Sequence, residues 1–106
     1  MKDAIIVFCA VPDLETGRKL ADVLLSEKAA ACVTIVPGTE SHYVWQGKRE
    51  KTLECGLQIK AMAEAYEKIE ELLRKHHPYE CPEILAVDVV RGYAGYLDWL
   101  AGEGQG

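Results

Sequence analysis

The residues of this chain best able to hold a metal ion or carry a nucleophile are four cysteines and three histidines: Cys9, Cys32, Cys55, Cys81, His42, His76 and His77. No two cysteines form a C-x-x-C pair, and three of them fall in apolar strand patterns. There a free thiol packs as a small hydrophobe in a reducing cytosol. Neither a Ser-His-Asp nor a Cys-His-Asn arrangement is visible. Cys81 lies near His76 and His77, but Pro82 follows it and no group is evident to orient a base, which argues against a nucleophile. No catalytic arrangement is therefore read from these residues. His42 reads as solvent-exposed.

A second set suits a small ionic ligand or a hard cation. Glu54, Gln58 and Lys60 share the polar face of one strand, and Glu83 stands just before another. Tyr43, Trp45 and Tyr79 could stack on a ligand in such a cleft. The plainer alternatives are an intersubunit salt bridge or a water-filled channel wall for the charges, and interface packing for the aromatics.

These side chains need a scaffold, and the chain punctuates one clearly. Residues 4–11 are apolar at both parities, the pattern of a central strand covered on both faces. Pro12 and Asp13 suit the first positions of a helix that ends near residue 28. Its inner stripe is Leu14, Gly17, Leu20, Ala21 and Leu24. Gly17 costs about 1 kcal/mol against alanine in a helix, which suggests a close backbone contact. Residues 31–36 form a strand, Pro37-Gly38 bends it, and residues 41–45 resume it. Gln46-Gly47-Lys48 reads as a hairpin tip, with the return strand over 49–60. On that strand Leu53, Cys55, Leu57 and Ile59 alternate with Glu54, Gly56, Gln58 and Lys60.

A second helix is expected over 63–76, with Met62, Tyr66, Ile69, Leu73 and His76 as one stripe. Its outer face carries Glu64–Lys68, Glu70–Arg74 and Glu71–Lys75 at spacing four. Pro78 stops it. Residues 84–90 form a fourth strand, and 93–101 a short helix whose apolar contacts are Tyr96, Trp99 and Leu100. The order β-α-β-β-α-β predicts a ferredoxin-like α+β sandwich with a short C-terminal helix. The domain spans 1–101, and residues 102–106, GEGQG, read as a flexible tail. Two helices cover one face of the sheet, so the other needs a partner subunit.

At 106 residues and 49% hydrophobic, the chain can bury a core as a single domain. Twelve basic against 17 acidic residues, a net charge of −5, argue against a nucleic-acid or anionic-membrane surface. No apolar run approaches the ~20 residues of a membrane span, and residues 1–11 read as a buried strand rather than a signal peptide. The expected compartment is the cytoplasm.

The motifs A-C-V-x-I-x-P-G, S-x-Y-x-W-x-G-K, H-P-Y-x-x-P-E-I and Y-L-x-W occur in that order. With them, nearly the whole chain resembles the CutA divalent-cation tolerance proteins. The resemblance implies a ferredoxin-like subunit, a tight homotrimer built through extended strands, and a link to metal-ion tolerance without an established enzymatic activity. It also implies copper binding by Cys9, His76 and His77. Ala10, Thr34, Ala61 and Tyr93 depart from the family pattern.

The expected topology agrees with that ligand set. The first strand and second helix end at one end of the sheet, so thiolate and imidazoles could converge there on copper or zinc. The plainer account is available here too. A histidine at a helix C-terminus is favoured by the dipole and the free carbonyls, and a cysteine in a buried strand is usually inert. Two further readings stand beside the metal-responsive one. The first is a trimeric regulator like the PII proteins, binding a small ligand in the intersubunit cleft and signalling to a partner. The second is a purely structural trimer.

Overall fold

The computed structural model describes residues 3–103. β1 (Ala4–Val11) is followed by α1 (Leu14–Ser26), then by β2 (Cys32–Trp45) and β3 (Lys48–Met62). A 3-10 turn (Ala63–Ala65) leads into α2 (Tyr66–His76), β4 (Ile84–Asp88) and α3 (Ala94–Glu103). The four strands form one antiparallel sheet in the order β2-β3-β1-β4.

Local chemistry explains the element ends. Asp13 caps α1, its side chain accepting from the Thr16 N–H at 2.8 Å. Gln46 and Gly47 both have positive φ, 52° and 80°. They are the two central residues of the tight turn that suits a hairpin's twist. The turn is two residues long, and Lys48 already opens β3. At Pro37-Gly38 the strand continues through a bulge. Val36 pairs with Gly56 and Thr39 with Glu54, three steps on one strand against two on the other.

The two faces of the sheet differ. Val7, Cys9, Val11, Leu57 and Ile59 point to the helices and are fully buried with Leu20, Leu24, Ile69 and Leu73. Each such side chain contributes about 1.5–3 kcal/mol of burial. Leu14, in the first turn of α1, is instead exposed. Gly17 faces Leu57, Val11 and Ile35, but a methyl there would sit 3.4 Å from the nearest atom, an ordinary contact. Close backbone approach is therefore not what requires glycine.

On the opposite face α3 covers one end of the sheet. Leu100 is buried with Ala4 and Met62, and Leu97 packs beside it. Met62 thus ends β3 and serves this second cluster rather than the stripe of α2. Leu97 and Leu100, three apart, make the contact, while Tyr96 and Trp99 pair outside it with ring centroids 5.7 Å apart. Beyond α3 the face is bare. Leu85 and Val87 are 62% and 47% exposed, beside half-buried Phe8 and Ile6. The expected fourth strand stops at Asp88, and α3 runs to Glu103; residues 104–106 of the expected tail lie outside the described residues.

On α2, Glu70 and Arg74 approach at 3.9 Å, whereas the Lys68 amine donates to the Glu27 carbonyl at 2.6 Å. That contact ties α2 to the end of α1.

Candidate functional site

Cys9 lies near the end of β1, and His76 and His77 at the end of α2, with His77 bonded to the backbone of Ala10, but the donor atoms of Cys9 and His77 are committed elsewhere. Cys9 is 1% exposed, within the helix-facing core. Burial pushes its thiol up to about 12, with Glu83 and Glu54 adding in the same direction. It stays protonated at neutral pH, whereas the thiolate is the metal ligand. His77 caps the end of α2 and is 92% buried, 8% exposed. Its Nε2–H donates to the Ala10 carbonyl at 2.7 Å, and its Nδ1 accepts the Tyr79 N–H at 3.1 Å. Since a carbonyl can only accept, the ring is held as one neutral tautomer with both nitrogens engaged. His76 is half-buried on the last turn. Among the described residues no group of three or more His, Cys, Asp or Glu is placed to hold an ion. Neither Cys9 nor His77 offers a free donor to a metal ion in this arrangement.

The second set is partly assembled. A cavity of about 780 Å³ opens on the outward face of the sheet, lined by Ala10, Tyr43, Trp45, Glu54, Tyr79 and Glu83 among others. β2 reaches it because of the Pro37-Gly38 bulge. Before the bulge, Val33 and Ile35 share the helix-facing side with Ile59 and Leu57. An unbroken ladder would carry odd-numbered Tyr43 and Trp45 to that side. The extra residue reverses the phase, so both share Glu54's side. The Pro78-to-Pro82 segment closes the other wall with Tyr79, Glu80 and Cys81.

Glu54 forms the buried floor, 7% exposed. One carboxylate oxygen accepts the Tyr79 hydroxyl at 2.6 Å. Burial and this bond to an acceptor push the Tyr79 phenol well above its ordinary range. Tyr79 also packs its ring on His77, centroids 4.7 Å apart. A chain of contacts therefore runs from Glu54 through Tyr79 and His77 to Ala10.

Lys60 is not part of the cleft. It shares a face with Glu54, but six residues of strand separate them by about 20 Å. It pairs with Cys32 and Ile6, and its amine donates to the Thr34 hydroxyl. His42 is exposed, as expected, and pairs with Glu40 at 2.6 Å at the cavity's rim. The residue types of the sequence did not single out Glu80 or the Ala10 carbonyl. Proline on both sides of residues 79–81 was the available sign of an ordered segment.

An α+β chain with an antiparallel four-stranded sheet, three helices among the described residues and a projecting hairpin defines the class, and comparison with known proteins places it. The sequence pattern of the CutA1 divalent ion tolerance protein family matches residues 5–103. The Divalent-cation tolerance protein CutA of Citrobacter koseri is 41% identical over 98 residues, covering 92% of this chain and 85% of that protein. The crystal structure of CutA from Xylella fastidiosa superposes with a TM-score of 0.92 at 42% identity, over 95% of this chain and 97% of that one. The CutA of Archaeoglobus fulgidus, described as a periplasmic divalent cation tolerance protein, gives 0.93 at 30% identity, over 96% and 99%. The chain belongs to the CutA divalent-cation tolerance family.

Proposed function

We propose that this chain is a metal-ion-responsive protein of the divalent-cation tolerance type, without catalysis, working as a cytoplasmic homotrimer of ferredoxin-like subunits. Membership of the tolerance family is the observation that carries the reading. The sheet order, with α1 and α2 on one face, supports the ferredoxin-like description.

Self-association is supported by the bare apolar face around Phe8, Leu85 and Val87. The projecting hairpin supports it too. The radius of gyration is 14.2 Å, against about 13 Å expected for a compact chain of ~100 residues. Three subunits rather than another number is what the family resemblance adds. Four free cysteines suit a reducing compartment.

The ion would be copper or another divalent cation. The arrangement of Cys9, His76 and His77 argues against them as its resident ligands. The carboxylates with free access are Glu80 and Glu83, both exposed at the mouth of the cleft. Two carboxylates with water in the remaining positions hold a divalent cation loosely. Native mass spectrometry of the reduced protein, titrated with copper and with zinc, tests the assembly, the ion uptake and its ligands. A trimer whose saturable ion uptake survives Cys9→Ser/His76→Ala/His77→Ala and weakens in Glu80→Gln/Glu83→Gln is expected. A trimer that takes up no ion, or loses uptake only in the first variant, removes the proposed contact.

A further inference from the structure

Glu54 is a buried carboxylate without a counter-charge: among the described residues no Lys, Arg or His forms an ion pair with it. One of its oxygens accepts the Tyr79 hydroxyl. The other keeps open surface, since no fully buried side-chain polar atom among the described residues lacks a hydrogen bond. A buried charge is ordinarily paired, because removing it from water is costly. Glu80 and Glu83 line the same cavity, and among the described residues no Lys or Arg does. The groove is long. Trp45, which also lines it, pairs with Lys48, six strand residues or about 20 Å from Glu54. That is a strand's length, more than a small molecule bridges.

The ribbon of β2 and β3 that walls the groove has a second side. Cys55 and Leu57 point to the helices and are 6% and 1% exposed, whereas Leu53, next on that side, is 69% exposed. The helical cover stops there. Beyond Leu53 this side carries Lys51 and Arg49 on β3, with His42 and Val44 opposite them, and Val44 is 67% exposed. Among the described residues neither Lys51 nor Arg49 has an ion-pair partner. Residues 48–51 hold three cations against one carboxylate, in a chain whose net charge is −5. The pleat turns Lys51 and Arg49 away from their own Glu54, and Lys48, on its side, lies a strand's length away. No cation of the ribbon reaches the carboxylate of its own chain.

We propose that a second copy of this chain completes the Glu54 site. The side of one subunit's ribbon that bears Val44 and Leu53 lies in the neighbour's groove, and Arg49 and Lys51 supply the missing charge to the free oxygen of the neighbour's Glu54. The sign of the charge, the length of the groove and the bare Val44 and Leu53 beside the cations agree on this occupant. Ribbon and groove are different surfaces, so the contact runs head to tail, and such a contact generates a ring when its rotation closes. The trimer proposed above is one such ring. The inference rests on that self-association and adds which surfaces meet. Glu80 and Glu83 stay at the mouth of the groove.

The test uses the full chain, with mass read by native mass spectrometry and covalent linkage by non-reducing electrophoresis. Cys81 lines the groove and is exposed, so a cysteine on the docked side of the ribbon should pair with a neighbour's Cys81. Oxidised glutathione is expected to link Val44→Cys or Leu53→Cys chains into covalent trimers. The unmodified chain, Lys19→Cys on α1 and either ribbon variant combined with Cys81→Ser should stay unlinked. Arg49→Gln/Lys51→Gln and Glu54→Gln should each raise tenfold or more the concentration at which the trimer dissociates. Combined, they should do no more than the stronger of the two, because both remove the same pair. Glu54→Gln keeps the side-chain volume and an acceptor for Tyr79, and if it does not fold the linkage experiment still decides. A trimer that links at neither ribbon position, links equally at Lys19→Cys, or shows additive effects of the two charge variants overturns the docking and leaves self-association standing. A chain that stays monomeric at every concentration removes self-association and this inference together.

Discussion

The two faces of the sheet near its β1 end hold the two sets of side chains that invited a functional reading, and they behave oppositely. On the helix-covered face Cys9 and His77 have the right atoms for a soft metal, but burial and hydrogen bonds have used them. The thiol is held protonated, and both imidazole nitrogens are bonded to backbone. On the outward face Glu54 is as deeply buried, yet one of its oxygens remains open to a cavity. Residue type alone ranks the first set higher. Availability of a lone pair ranks the second, because a ligand atom already satisfied by the protein must lose that bond before it gains another.

The contrast can be broken or sharpened by measurement. The largest expected effect is in the packed layer: Leu57→Ala should lower unfolding stability by about 2–5 kcal/mol. Leu85→Ser on the bare face should leave the fold and instead change the mass read by light scattering. Equal destabilisation by both would mean that the two faces are equally packed within one subunit.

Next comes alkaline pH. Cys9 titrates higher in the folded chain than the ordinary thiol near 9.0, so the folded state holds its proton longer than the unfolded one. This contribution is intact below pH 9 and is lost as pH rises from about 9 to about 12, at about 1.4 kcal/mol per pH unit. Urea unfolding between pH 8 and 10.5 should show the slope, and Cys9→Ala should flatten it. A slope unchanged in the variant would dismiss Cys9 as its source.

Smaller still is the effect of Tyr79→Phe, which removes one bond to a buried carboxylate and should destabilise by about 1–3 kcal/mol. The same change frees the second Glu54 oxygen. It should therefore change the cleft while leaving the core thiol unreactive. An aromatic disulfide reagent should label Cys81 quickly and Cys9 slowly in both proteins, since only the former is exposed. The smallest effect is at Gly17, where the added methyl meets no clash. Gly17→Ala should be neutral or stabilise by up to about 1 kcal/mol, and a drop in melting temperature would show that the helix–sheet spacing there is tighter than its contacts indicate.

What the sequence by itself determined was the local grammar. The two-parity apolar run placed β1 to the residue, Asp13 marked the start of α1, Gln46-Gly47 the hairpin turn, and Pro78 the end of α2. These signals act over one turn or one strand, where propensity, capping and φ preference dominate. The motifs also carried the family resemblance that the comparisons bore out. Tertiary structure decided which side chains meet. The phase reversal at Pro37-Gly38 turned Tyr43 and Trp45 toward Glu54, and strand length took Lys60 away from it. A backbone carbonyl and an N–H claimed both nitrogens of His77. Phase, distance and hydrogen-bond partner are all set by strand pairing across the chain, and a one-residue bulge changes every side chain beyond it.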